Sequence, residues 1–230
     1  MIYLTGDIHG DPMQIELFCS KMQLTEDDTI IMLGDVGINY YGGKRDRLIK
    51  RILSSFPVTF LCVHGNHEIR PQNIPEYIRK EWNGGRVFVE EAYPNILFAG
   101  DGEVYNINGT KTLVIGGAYS VDKFYRLQRG FGWWTDEQPS EQTKQKVEAV
   151  IADCEDIDII LSHTCPKKYI PTEMFLPMVD QSTVDRSTEE CLDRIDDAVS
   201  YKAWYCGHWH TDKRIDKMHF LYKTFECLDD

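Results

Sequence analysis

Four short clusters hold the groups that could do chemistry: Gly6-Asp7-Ile8-His9-Gly10, Gly34-Asp35, Gly65-Asn66-His67-Glu68 and Gly207-His208-Trp209-His210. In an extended segment, residues two apart point the same way. Asp7 with His9, and His208 with His210, can therefore each present two ligands to one locus. Asp35 adds a carboxylate able to bridge two cations, Asn66 a neutral amide oxygen, and His163 another imidazole. This mixed oxygen and nitrogen set suits Mn, Fe, Zn or Ni better than Ca or Mg. Two divalent cations against the two carboxylates leave a positive centre. Such a centre attracts phosphate oxygens and lowers the pKa of a bridging water, so that hydroxide forms near neutral pH. His67 neighbours Asn66 but projects differently, which leaves it free to protonate a leaving oxygen.

The elements that must position these groups are legible around them. Three clusters directly follow apolar runs, Met1–Thr5, Thr29–Leu33 and Val58–Val63. Strands ending in Gly deliver ligands to the carboxyl edge of an α/β sheet. Asp11-Pro12 is a helix start, so a helix to about Met22 would place its N-terminus, which favours an anion, beside Asp7 and His9. Asp46–Ser55 reads as a helix, with Arg45, Arg47, Lys50 and Arg51 on an exposed face. Short β-rich runs follow at Val87–Val89, Ile96–Phe98, Glu103–Ile107 and Thr112–Ile115, with a hairpin around Asn108-Gly109. The α/β style then resumes: helix Ser140–Cys154, strand Asp158–Leu161, helix Thr188–Val199, strand Ala203–Cys206.

Residues 119–139 and 166–185 fit neither pattern and are expected to be lids or substrate walls. The first holds Arg126 and Arg129 among Tyr125, Phe131, Trp133 and Trp134. The arginines could clamp a phosphorylated or base-bearing substrate, although capping a core edge is the preferred role for the Trp pair. Met174–Met178, in the second, reads as a lid or a self-association patch.

At 230 residues the chain is expected to form a single domain, 1–230. A hydrophobic content of 42% and a charged content of 27% are ordinary for a soluble globular protein. The odd cysteine count of 7, without a CxxC pair or an export signal, implies reduced thiols and a cytoplasmic location. A membrane association is not expected, because no apolar run approaches the length of a span. The net charge of −12 disfavours extended nucleic acid as partner. A small phosphorylated substrate is still compatible with it, because a local metal charge can dominate a cleft. Acidic clusters at 26–28, 155–158 and 193–197 read as solvated faces. Oligomeric state is not encoded in any of these features.

The clusters, in this order, resemble the calcineurin-like metallophosphoesterases, whose pattern runs Asp-x-His, Gly-Asp-x-x-Asp, Gly-Asn-His-Asp/Glu, a His and Gly-His-x-His. The resemblance spans residues 5 to about 222. It implies a four-layer α/β/β/α sandwich of two mixed sheets with two metals at their edge, Mn being the expected ion. Asp7, His9, Asp35 and His210 would hold one ion; Asp35, Asn66, His163 and His208 would hold the other. A metal-bound hydroxide would attack the phosphorus of a mono- or diester in line, with His67 as general acid. Asn66, His67 and Arg70 would contact the phosphate, although a surface ion pair is an equal candidate for Arg70. His64 reads as structural or as a support behind the site, and His219 as structural. The chain departs from the pattern at Gly34-Asp35-Val36-Gly37-Ile38, where the second acid is missing. This weakens a protein-phosphatase reading and leaves Glu68 or a backbone carbonyl to orient His67. Alternatives are a phosphoprotein or dinucleotide polyphosphate phosphatase, and a non-catalytic interaction scaffold.

Overall fold

Strand runs that are apolar at every position require cover on both faces, and the computed structural model shows how that cover is provided. It describes residues 1–154 and 156–228; Glu155, within the acidic cluster at 155–158, lies outside them. The strands are β1 (Ile2–Thr5), β2 (Thr29–Met32), β3 (Thr59–Cys62), β4 (Tyr77–Trp82), β5 (Gly85–Glu90), β6 (Ile96–Ala99) and β7 (Glu103–Ile107). They continue with β8 (Thr110–Ile115), β9 (Ile159–Ser162), β10 (Ala203–Cys206), β11 (Lys213–Ile215), β12 (Met218–Phe220) and β13 (Glu226–Cys227). The helices are α1 (Met13–Met22), α2 (Lys44–Ser54), α3 (Lys123–Arg129), α4 (Glu141–Asp153) and α5 (Ser187–Ala198).

One sheet runs β13-β1-β2-β3-β6-β5-β4 and the other β11-β12-β10-β9-β8-β7. β1, β2, β3 and β6 are parallel, as are β8, β9, β10 and β12, and antiparallel strands close each sheet. Side chains alternate between two cores along each central strand, as the two-residue period demands. Leu4, Ile31, Leu61, Leu161 and Tyr205 meet between the sheets. Ile30, Met32 and Phe60 turn the other way onto Ile15 of α1 and Ile49 and Leu53 of α2. Ile160, Trp204 and Cys206 pack on Val147 of α4 and Leu192 of α5. The result is the expected α/β/β/α layering.

Several expectations need correction. α1 starts one residue later than the Asp-Pro pair implied, and Asp11 Oδ1 accepts a hydrogen bond from Met13 N at 3.0 Å. The anion favoured at that helix end is thus Asp11's own carboxylate. The basic run on α2 is not wholly solvated, because Lys50 is buried and pairs with Glu90. β4 went unread: its sequence is polar because it is an exposed edge strand. It turns into β5 through Asn83 and Gly84, both at positive φ, as the tight hairpin turn requires. All seven cysteines are free. Among the described residues, no helix is long and apolar enough to cross a membrane.

Candidate metal centre

Parallel pairing puts the carboxyl ends of β1, β2 and β3 at one edge of the first sheet, and those of β9 and β10 at one edge of the second. The loops leaving these ends carry all the expected ligands, and hydrogen bonds tie them to one another. His9 N donates to Asp35 O (2.8 Å), and Gly207 N donates to His163 O (2.9 Å). His67 N donates to Asp35 Oδ1 (2.8 Å), and His208 N donates to Asp7 Oδ1 (2.9 Å). The last bond joins the two sheets. Glycine is required where these loops meet: a Cβ on Gly65 would lie 2.0 Å from Asp35 Oδ1, and one on Gly207 would lie 2.2 Å from Asp7 Oδ1.

The structure brings the seven ligand candidates together. Asp7, His9 and His210 each place a ligand atom within 4.8 Å of the others, and so do Asp7, Asp35 and His163. Asp7 is thus common to both groups. The Nε2 atoms of His9 and His210 face each other at 2.9 Å. Asn66 Oδ1 lies 2.8 Å from His163 Nε2 and 3.0 Å from His208 Nδ1. Four of these residues hold left-handed backbone: His9 (φ 47°), Asp35 (47°), His208 (66°) and His210 (48°). Such conformations in non-glycine residues cluster at functional sites, where the surrounding structure enforces them. Converging carboxylate, amide and imidazole donors of this kind fit divalent transition-metal ions.

Supporting residues fix the orientation of the donors. His163 Nδ1 lies 2.7 Å from Leu33 O, a bond that holds a proton on Nδ1 and leaves Nε2 facing the cluster. Asn66 Nδ2 donates to Ser120 Oγ (2.9 Å), which donates in turn to Glu137 Oε2 (2.6 Å). That buried chain turns the amide oxygen toward the histidines. Neither Ser120 nor Glu137 was picked out from the sequence, because the region around them has no readable period.

The electrostatics follow from burial and the crowding of opposite charges. Burial would push the Asp35 carboxyl up, but His163, His67 and His9 hold it well below the usual carboxylate range. Burial would lower His163, yet Asp35 and Asp7 lift it to about 9. Burial and the neighbouring His163 push His208 down to about 3. Asp7, hydrogen-bonded to it, raises His210.

His67 stands beside the cluster, its ring 5.8 Å from that of His9 and stacked on Tyr40. Burial lowers its pKa, with Asp35 opposing, Arg126 adding to the fall and Asp122 opposing. The nearby carboxylate is Asp122, whose Oδ1 is 3.8 Å from His67 Nε2. It precedes α3 inside the 119–139 segment, which fits neither the helix nor the strand pattern in the sequence. The only signal for it was an Asp ahead of a short helical run. Glu68 is not this partner: its side chain turns inward, Oε1 accepts from Gly65 N at 2.8 Å, and burial pushes its pKa up to about 8.

Arg70 does not join the centre. Its guanidinium is buried, with Nε donating to Asp136 O (2.6 Å) and a nitrogen paired with Asp101 at 2.5 Å. It lines a different pocket, together with His64, Asp101 and Lys146. It is therefore a structural ion pair, but a buried one. The arginines do not form the clamp that the sequence also allowed. Arg126 is buried, donates to Gly132 O and Ser120 Oγ and lies over the Tyr40 and Trp134 rings, while Arg129 lies over Tyr125. Both hold the 119–139 segment together. His64 is buried and lies 3.2 Å from Glu68 O, and His219 lies 2.6 Å from Glu226 Oε2.

A cavity of about 360 Å³ opens over the centre. His9, Asp35, Asn66, His67, His208 and His210 line one end. Residues of 166–185 and α5 line the other. That size falls within the range of small-ligand sites.

The model of the calcineurin-like phosphoesterases matches residues 1–212. No curated protein matches the sequence. One solved crystal structure is similar at 12% identity and a TM-score of 0.51, covering 96% of this chain and 88% of that one. TT1561 of Thermus thermophilus is 15% identical, with a TM-score of 0.49 over 90% of this chain and 80% of that one. The calcineurin-like phosphoesterase YfkN from Bacillus subtilis is 13% identical, with a TM-score of 0.41 over 91% of this chain and 72% of that one. With the family pattern matched across most of its length, the chain belongs to the calcineurin-like phosphoesterases, metal-dependent hydrolases of phosphoric ester bonds.

Proposed function

We propose that the chain hydrolyses a small phosphate mono- or diester at a binuclear centre, with His67 as general acid. The observation that carries this reading is the convergence of Asp7, His9 and His210 beside Asp7, Asp35 and His163, two overlapping groups that bring both carboxylates, Asp7 and Asp35, to one locus with three imidazoles. One ion would be held by Asp7, His9, Asp35 and His210, the other by Asp35, Asn66, His163 and His208. When bound, the ions supply positive charge for the phosphate oxygens and acidify a water at neutral pH.

The chain's own residues do the rest. Ser120 accepts one Nδ2 hydrogen of Asn66, and the second would donate to a phosphate oxygen and stabilise its charge. Asp122 faces His67 Nε2 and favours the protonated ring against the desolvation that disfavours it. With Nε2 turned to Asp122, Nδ1 is the nitrogen that gives its proton to the leaving alkoxide. Tyr40, stacked on the ring, keeps it in place.

The test is hydrolysis of p-nitrophenyl phosphate and bis-p-nitrophenyl phosphate by protein stripped of metal and reloaded. Chelation should abolish turnover and Mn should restore it, with Fe, Zn and Ni as comparisons. The preferred ester separates monoesterase from diesterase. Absence of turnover with both ions bound would favour an interaction scaffold instead.

A further inference from the structure

The cavity over the metal centre is lined by a single Arg or Lys among the described residues, and that residue is Arg186, directly ahead of α5. It stands on the far wall, away from the ligand cluster. Its guanidinium lies 5.3 Å over the Phe175 ring, and Nη2 donates to Gln181 Oε1 at 2.9 Å. Phe175 and Gln181 line the cavity as well. These contacts orient the charge without neutralising it, because one neighbour is a ring and the other an uncharged amide. Glu189, one turn further on, is committed elsewhere: it is buried, and its Oε1 accepts from Thr164 Oγ1 at 3.0 Å. Other cations drawn into this fold are treated differently, since Lys50, Arg70, Arg126 and Lys144 each meet a carboxylate. Arg186 is half-buried and makes no such ion pair among the described residues. Trp209 links it to the metal end, with its ring 6.2 Å from Phe175 and 5.2 Å from His208.

A lone cation on an otherwise apolar wall selects its occupant. An apolar group laid over the guanidinium would strip its water and return no hydrogen bond. A second cation would be repelled. A carboxylate or phosphate meets the charge and can take two N–H groups of the guanidinium edge at once, which stacking on Phe175 leaves free. We propose that the ester hydrolysed here carries a second anionic group, a carboxylate or a further phosphate, which binds Arg186 while the scissile phosphate lies at the metal end. This rests on the phosphoesterase reading above. It makes Arg186 the residue that tells a doubly anionic ester from a neutral one bearing the same phosphate.

The experiment measures kcat/KM of the metal-loaded protein on phosphate esters of ω-hydroxy acids, roughly three to eight carbons long, and on their primary amides. Each pair shares the ester and the shape and differs in the distal charge. Bisphosphates of the matching α,ω-diols separate a second phosphate from a carboxylate. If diesters are preferred, the p-nitrophenyl diesters of the same alcohols replace the monoesters. At the best length the wild type should favour the acid or the bisphosphate over the amide by roughly tenfold or more, and Arg186→Gln should bring that ratio close to one. Arg186→Lys, which keeps the charge and loses the fork, should retain part of it. The ratio is taken within one protein, so a poorly folding variant does not mimic the effect. Equal rates on all three classes at every length, or a preference undiminished in Arg186→Gln, would overturn the distal site and leave the phosphoesterase reading standing. No hydrolysis of any ester, p-nitrophenyl phosphate included, would overturn the hydrolytic reading instead. Calorimetric binding of the same acids, bisphosphates and amides to the metal-loaded protein then decides the site. Tighter binding of an acid or bisphosphate that is lost in Arg186→Gln supports it, and equal affinities overturn it.

Discussion

The two ends of the cleft are built in opposite ways. At the candidate metal end, every candidate ligand follows the carboxyl end of a buried strand, and backbone bonds such as His9 N to Asp35 O join neighbouring loops. The far wall is a run of short 3-10 turns, Lys167–Tyr169, Thr172–Met174 and Gln181–Thr183, with Leu176 and Met178 exposed. Few long-range backbone bonds hold that segment; those involving residues 167–184 are local turns. The contrast separates two tasks. The metal end is fixed by elements that cannot shift without disturbing both sheets, whereas the far wall is a segment that can change alone.

Four substitutions test that division, the first three in decreasing order of effect on turnover. Asp35→Asn, at the rigid end, should cost about three orders of magnitude or more in turnover and lower the number of ions bound. Full activity with full occupancy would remove Asp35 from the centre. Next, His67→Ala should slow an alkyl phosphate roughly 10²- to 10⁴-fold while sparing a p-nitrophenyl ester, whose leaving group needs no proton. Asp122→Asn should act in the same direction by about tenfold. Equal losses on both ester types would argue that His67 binds phosphate without protonating anything.

The fourth substitution, at the far end, is read as stability and not as turnover. Burial pushes Glu189 up to about 7, well above its value in an unfolded chain. A carboxyl raised by folding keeps its proton longer in the folded state. Its contribution is therefore fully present below pH about 4.5 and is lost as the pH rises through about 7. The loss is on the order of 3 kcal/mol. Urea unfolding of the metal-free protein at pH 5 and pH 8 should show a smaller drop in Glu189→Gln than in the wild type. Parallel profiles would mean that the carboxylate is better solvated than its burial indicates.

The same division governs how much could be read from the sequence. The central strands and the convergence of the candidate ligands were legible, because each candidate lies within a few residues of an apolar run, and local periodicity reports local structure. β4 and α3 were not. The first is a polar edge strand, and the second occupies a stretch whose burial comes from partners far along the chain, such as Tyr40 against Arg126. Asp122 was missed for the same reason, since its proximity to His67 is created by tertiary packing across 55 residues of chain. Arg70 was misplaced because its partner, Asp101, lies 31 residues away. Glu189 looked like any acidic residue in the first turn of a helix.

The left-handed backbone at His9, Asp35, His208 and His210 has a consequence for how this chain can be altered. Each such position in an L-residue is unfavourable by about 1–2 kcal/mol. Together they are comparable to a large part of the roughly 5–15 kcal/mol that separates a typical folded domain from its unfolded chain. Glycine at any of the four would relieve that strain and delete a ligand in the same step. Breeding this protein for heat resistance alone would therefore draw variation first to these four candidate ligands, and, on the proposed function, the hardiest descendants would be the inert ones.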